Sequence, residues 1–111
     1  MVKLIIAYIG DHCSQFLDMS FQSVIDADKI IFVWGMEDIQ TRAKLDEWMT
    51  KHPDKFVLIE RKYEKEHMGA NGRARNAYLS YLMQNHKGDF CLVCDPDEIL
   101  DEKGIKNIKD F

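Results

Sequence analysis

The sequence predicts a three-layer α/β domain with a mainly parallel sheet in the strand order 3-2-1-4. Two patterns carry this expectation. Four short apolar runs alternate with segments of helical period, as in consecutive βα units. Each run is nearly continuous in apolar residues rather than alternating, as expected of strands covered on both faces. Right-handed crossovers that cover both faces of such a sheet lead to the 3-2-1-4 order.

The runs are KLIIAYI from about Lys3, KIIFVW from Lys29, FVLIE from Phe56 and DFCLVC from Asp89. Between the first two, Leu17, Phe21, Val24 and Ile25 recur at helical spacing, and Ser14 is placed to cap the helix start. A second helix is expected from about Asp38 to Lys51, burying Ile39, Leu45, Trp48 and Met49, with HPDK ending it. The third begins near Ala70 and sets Ala74, Ala77, Tyr78, Tyr81 and Leu82 on one stripe. It stops at HKG, residues 86 to 88, where basic residues precede a glycine. Another helix is expected after Leu100. The chain therefore reads as a single domain, residues 1–111, incomplete at its C-terminus. RKYEKEHMGANG is the long polar loop, and it includes His67 and Met68. Loops that follow the C-terminal ends of strands are where ligands bind in such sheets.

With 46% hydrophobic and 31% charged residues, the 111-residue chain has the composition of a soluble globular domain. Its apolar runs are too short to span a bilayer, and MVKLIIAYIG lacks a signal-peptide cleavage site, so a cytoplasmic location is expected. A net charge of -4 gives no broad basic footprint and argues against nucleic acid as a partner. Cys13, Cys91 and Cys94 are an odd count without the spacing of a disulfide framework. Cys91 and Cys94 form a CxxC, but residues three apart in a strand point to opposite faces. Core packing is therefore expected of them rather than a shared metal.

Two constellations could carry chemistry. In GDFCLVCDPDEIL, Asp95 and Asp97 directly follow a strand, with Pro96 stiffening the turn between them and Glu98 close behind. Paired hard oxygen ligands suit Mg2+ or Mn2+, whose shell substrate phosphates often complete. The alternative is that one carboxylate caps the next helix while the others are solvated, and spacing alone leaves both readings open. In GANGRARN, residues 69 to 76, two glycines and Asn71 lead into a helix start that carries Arg73 and Arg75. Free backbone N–H groups and guanidinium charge could meet an anion there. Residues two apart diverge by about 200° around a helix, so the two arginines should not share one ligand. A solvated helix start is the plainer reading of this segment. Asp11 and His12 sit at the mouth of the expected cleft, and Trp34 ends the second strand, where core packing is expected of it. No Walker A loop, GxGxxG fingerprint, nucleophile elbow or zinc-ligand set is present.

The order of these pieces resembles the N-terminal half of inverting family 2 glycosyltransferases, which have the Rossmann-like GT-A fold. The resemblance runs from strand 1 and its helix through ADKIIFVWG, GANGRARNAYLSYL and GDFCLVCDPDEIL, nearly the full chain. It implies that this half binds a nucleoside-diphosphate sugar, with Mn2+ or Mg2+ held on the diphosphate by a DxD-type turn. By that likeness Asp95 and Asp97 are metal ligands, Asp97 the principal one, and Asp95 can also face the ribose. Tyr8, Asp11, Asp38, Arg73 and Arg75 join Asp95 as expected nucleotide-sugar contacts. Where family members carry an Asp at the end of strand 2, this chain has Trp34 and Gly35, with Glu37 and Asp38 slightly later. Where they commonly carry Arg-Asn after strand 1, it has Asp11 and His12.

A complete catalytic domain of this type is about twice as long, and the other half supplies the acceptor surface and the usual base. The acceptor and the base are therefore unassigned, Glu98 and Asp101 being the nearby carboxylates left over. The isolated chain is expected to be poorly active or inactive, and prone to self-association through an apolar face. Two competing readings are a non-catalytic α/β binding or interaction domain and a nucleotidyltransferase of related fold. The latter's glycine-rich basic loop after strand 1 is missing from AYIGDHCSQ.

Overall fold

The computed structural model describes residues 2–62 and 70–97, the backbone alone over 70–74. Its elements are β1 (Leu4–Gly10), α1 (Ser14–Ser23), β2 (Lys29–Trp34), α2 (Ile39–Lys51), β3 (Phe56–Glu60), α3 (Ala70–Asn85) and β4 (Phe90–Cys94). The sheet has the order β3-β2-β1-β4 with every neighbouring pair parallel, as the sequence predicts.

The apolar runs are continuous because both faces of the sheet are buried. Leu4, Ile6 and Tyr8 of β1 and Ile30, Phe32 and Trp34 of β2 point to one side, where they meet Leu17 and Phe21 of α1 and Leu45 and Trp48 of α2. The alternate residues Ile5, Ala7, Ile31 and Val33 point to the other side and pack under Tyr78, with Ala77, Tyr81 and Leu82 of α3 against them. The strand period of two thus divides one apolar run between two cores. Cys94 belongs to the first core and Cys91 to the second, so the CxxC thiols face opposite sides of the sheet.

Two local expectations need correction. Ser14 does not cap α1. It is the first helical residue, Cys13 is the N-cap without a side-chain cap bond, and the Cys13 N–H instead donates to Thr41 Oγ1 at 3.0 Å. Ile39 is not buried but 82% exposed. It lies nine positions from Trp48, about 180° around a helix, whereas the buried Thr41, Leu45 and Trp48 follow the spacing of a single stripe. Ala74, Glu98, Asp101, His67, Met68 and the helix expected after Leu100 fall outside the residues whose side chains are described.

Helix α3 ends as expected: His86 N–H donates to the Leu82 carbonyl, and Gly88 takes φ 90, a conformation that favours glycine. The chain then turns onto the start of β1 through Asp89. Its Oδ1 accepts from Lys3 N–H and its Oδ2 pairs with His86 Nδ1, both at 3.1 Å. The Lys3 N–H, followed by His86, holds the Asp89 carboxyl below the usual carboxylate range. A depressed folded-state pKa stabilises the fold above the unfolded value and loses that contribution as pH falls through the folded one. Asp89→Asn should therefore lower the urea midpoint near pH 7, and its difference from wild type should shrink as pH drops below about 4. A difference that does not change with pH would remove Asp89 from the acid response.

β4 pairs only with β1 among the described residues, and Phe90 and Val93 on it are exposed. No helix among the described residues is long and apolar enough to cross a membrane.

Candidate functional site

All four strands run the same way, so their C-terminal ends form one edge. The register sets Gly10 beside Trp34, Trp34 beside Glu60 and Tyr8 beside Cys94. The segments that leave this edge are the loop after β1 with Asp11 and His12, the loop after β2 with Glu37 and Asp38, and the turn Asp95–Pro96–Asp97 after β4. α3 starts on the same side, because its far end leads into Asp89 beside the opposite edge of β1.

The acidic turn is seated against β1. A Cβ built on Gly10 would lie 2.7 Å from Pro96 Cγ, 3.1 Å from Phe32 Cζ and 3.3 Å from Cys13 Sγ. Only a glycine lets the Pro96 ring approach so closely, and the rigid ring in turn fixes where the two aspartates leave the sheet. Asp95 and Asp97 are both exposed. Nothing among the described residues pairs with the Asp97 carboxylate. Gly10→Val should cost about 1–3 kcal/mol, because relief of the clash must push the proline ring, and with it the turn, off β1. Urea denaturation measures that cost, and a wild-type midpoint would show that the turn yields freely.

The other expected contacts have more structural work. The Asp11 carboxylate accepts four N–H groups. Oδ1 takes those of His12 at 3.0 Å, Asp38 at 3.0 Å and the Trp34 indole at 3.1 Å, and Oδ2 takes that of Glu37 at 2.9 Å. Asp38 is the N-cap of α2, accepting from the backbone N–H groups of Gln40 and Thr41 and from the Thr41 hydroxyl at 2.6 Å. That hydroxyl bond, ahead of the backbone ones, holds the Asp38 carboxyl below the usual range. Trp34 is only 8% exposed, with the Arg42 guanidinium 5.3 Å from its ring centroid, and it packs in the core as expected. Arg42 itself is tied to Asp46 and Glu60.

Tyr8 must be reassigned. It is 0% exposed, its ring packs on Phe21 and Phe32, and its hydroxyl lies 3.0 Å from Ser20 Oγ under α1. Its even-numbered position on β1 directs it into the first core, so its side chain offers no face to a nucleotide. Arg75 is exposed in the second turn of α3, while the Arg73 side chain lies outside the described residues.

Thr41 is the residue that sequence reasoning missed. Buried completely, it accepts from Cys13 N–H and donates to Asp38, joining the start of α1 to the start of α2. Its place three residues after Asp38 was the available signal, since a capping side chain reaches the N–H of the third helical residue. Burial, helped by Asp11 and Asp38 and opposed by the Thr41 hydroxyl, pushes the Cys13 thiol up to about 11. A thiol so rarely ionised is an inert packing group.

Among the described residues, one group of three potential metal ligands gathers: Asp11, His12 and Glu37, with ligand atoms within 4.8 Å of one another. Its Asp11 oxygens already serve the loop N–H groups. Asp95 and Asp97 place two exposed carboxylates, the donor type that suits a hard divalent ion, on the turn stiffened by Pro96.

Compared with solved structures, the chain has a glycosyltransferase-like fold. The mannosyltransferase PcManGT from Pyrobaculum calidifontis, in complex with GDP-Man and Mn2+, matches it with a TM-score of 0.63 at 14% identity. The match covers 87% of this chain and 28% of that one, so the chain spans little more than a quarter of that protein's length. No protein-family model and no curated protein sequence matches the chain.

Proposed function

We propose that this chain is the nucleotide-sugar-binding half of a glycosyltransferase of the inverting family 2 type. The observation that carries the reading is the position of Asp95–Pro96–Asp97, exposed at the C-terminal edge of a 3-2-1-4 parallel sheet and wedged against Gly10. The likeness in fold to a mannosyltransferase that binds GDP-Man and Mn2+ supports it. Asp97 would be the principal ligand of a divalent ion and Asp95 its companion. Arg73 or Arg75, one of the two because they diverge around the helix, would supply cationic charge near the phosphates.

A divalent ion bound there would neutralise charge on a departing nucleoside diphosphate. The residues of this chain would hold and orient the diphosphate. Attack by an acceptor hydroxyl also requires a carboxylate base, and none of the described residues is assigned to that step. Proximity and orientation of an acceptor contribute about 7–11 kcal/mol to such barriers. The 111-residue chain alone should therefore bind donor nucleotide weakly and transfer no sugar at an appreciable rate.

Calorimetric titration with GDP and with UDP, in Mn2+ and in EDTA, tests the reading. Binding of either nucleotide that requires Mn2+ is the expected result. Equal, negligible binding in both conditions would leave an α/β interaction module as the better account.

A further inference from the structure

We infer, building on the donor-half reading above, that Asp11 is a positioning residue: its carboxylate locks the loops after β1 and β2 beside the acidic turn instead of contacting the donor. The Asp11 Oδ1 accepts three N–H groups, one more than its roughly two lone-pair sites, and Oδ2 accepts a fourth, so the carboxylate is largely committed to the loops. Three of the donors lie 23, 26 and 27 residues away in sequence, so one short side chain ties the β1 loop to the end of β2 and the start of α2.

Both loops carry backbone strain next to these bonds. His12 has φ 51 and Met36 has φ 66, left-handed conformations that cost free energy in any residue but glycine. The His12 N–H is itself a donor to Asp11, and Met36 directly precedes the Glu37 donor. Removing the carboxylate takes away the side-chain bond beside each of these residues, leaving the Cys13 N–H bond to Thr41 and the Gly35 N–H bond to the Gly10 carbonyl to hold the two loops. The Asp38 carboxylate, the Thr41 hydroxyl and the Cys13 N–H extend the same network from α2 to α1, so the lock reaches both helix starts.

The connection to the acidic turn is direct. Asp11 follows Gly10, whose backbone is in contact range of Pro96 and whose carbonyl accepts from Gly35 N–H at 3.2 Å. A shift of residues 10–12 is therefore transmitted to the proline between Asp95 and Asp97. Asp11 acts through Pro96, and His12, Met36 and Glu37 in the same two loops face solvent.

Asp11→Ala and Asp11→Asn in the full chain test the assignment through hydrogen exchange at the Glu37 and Asp38 amides and GDP affinity in Mn2+ and in EDTA. Asp11→Ala should speed exchange at both amides by about tenfold or more. It should weaken GDP binding in Mn2+ while leaving a clear preference for Mn2+ over EDTA. Asp11→Asn retains an acceptor for the three Oδ1 donors and turns an amide nitrogen toward Glu37. It should speed exchange at Glu37 alone and recover most of the affinity, a comparison that stands even if the alanine variant fails to fold. Unchanged exchange in either folded variant would overturn the lock. Loss of the Mn2+ preference in both variants would overturn it in favour of Asp11 as a direct metal ligand. If wild type binds no GDP under any condition, the donor reading fails and a positioning role in it fails too, while the exchange data report separately whether the lock exists.

Discussion

Phe21→Ala should be the most damaging single change to the fold, costing about 3–5 kcal/mol. Phe21 is fully buried, and its ring centroid lies 5.4 Å from Tyr8, 6.0 Å from Phe32, 5.6 Å from Trp48 and 5.0 Å from Phe56. It therefore joins β1, β2, α2 and β3 from a position on α1. Tyr8 and Phe32 on one side and Trp48 and Phe56 on the other are joined through Phe21 and cannot all close over the void it leaves, so the cavity cost adds to the lost burial. Small domains are stable by about 5–15 kcal/mol, so the variant should sit near its unfolding midpoint at modest urea concentrations. A shift of the midpoint corresponding to less than about 1 kcal/mol would mean that the core repacks around the gap.

Asp97→Ala should have the largest effect on binding. In the presence of Mn2+ it should weaken GDP binding by about 10–100-fold, or about 1.4 kcal/mol for each factor of ten, toward the level seen in EDTA. The fold should be unaffected to within about 0.5 kcal/mol, because the side chain is exposed and unpaired among the described residues. This separation of binding from stability distinguishes a ligand from a packing residue such as Tyr8. An unchanged affinity in Mn2+ would return Asp97 to a solvated or capping role.

The sheet order was legible because its determinants are local. Apolar runs of five to seven residues, interrupted by segments of helical period, leave few other ways to bury both faces of a sheet. The acidic turn was legible for the same reason, since its residues are contiguous and follow a strand. The role of Asp11 was not legible, because three of its four partners lie more than twenty residues away and two of those are backbone N–H groups that no side-chain pattern reveals. Tyr8 shows another limit. The resemblance gave it as a ligand contact, whereas strand parity directs its side chain toward α1 and Ser20. Ile39 was recoverable from spacing alone, since its angle from Trp48 places it on the outer face of α2.

The claim that the turn after β4 holds a divalent ion on a nucleoside diphosphate is tested most directly by paramagnetic broadening. Mn2+ would be titrated in trace amounts into the isotope-labelled chain saturated with GDP, and the amide resonances followed residue by residue. Selective loss of the Asp95, Asp97 and Gly10 signals, reversed by excess Mg2+, is the expected result. Broadening centred on His12 and Glu37 while the resonances of residues 95 and 97 stay sharp would contradict it and move the ion to the Asp11 loop.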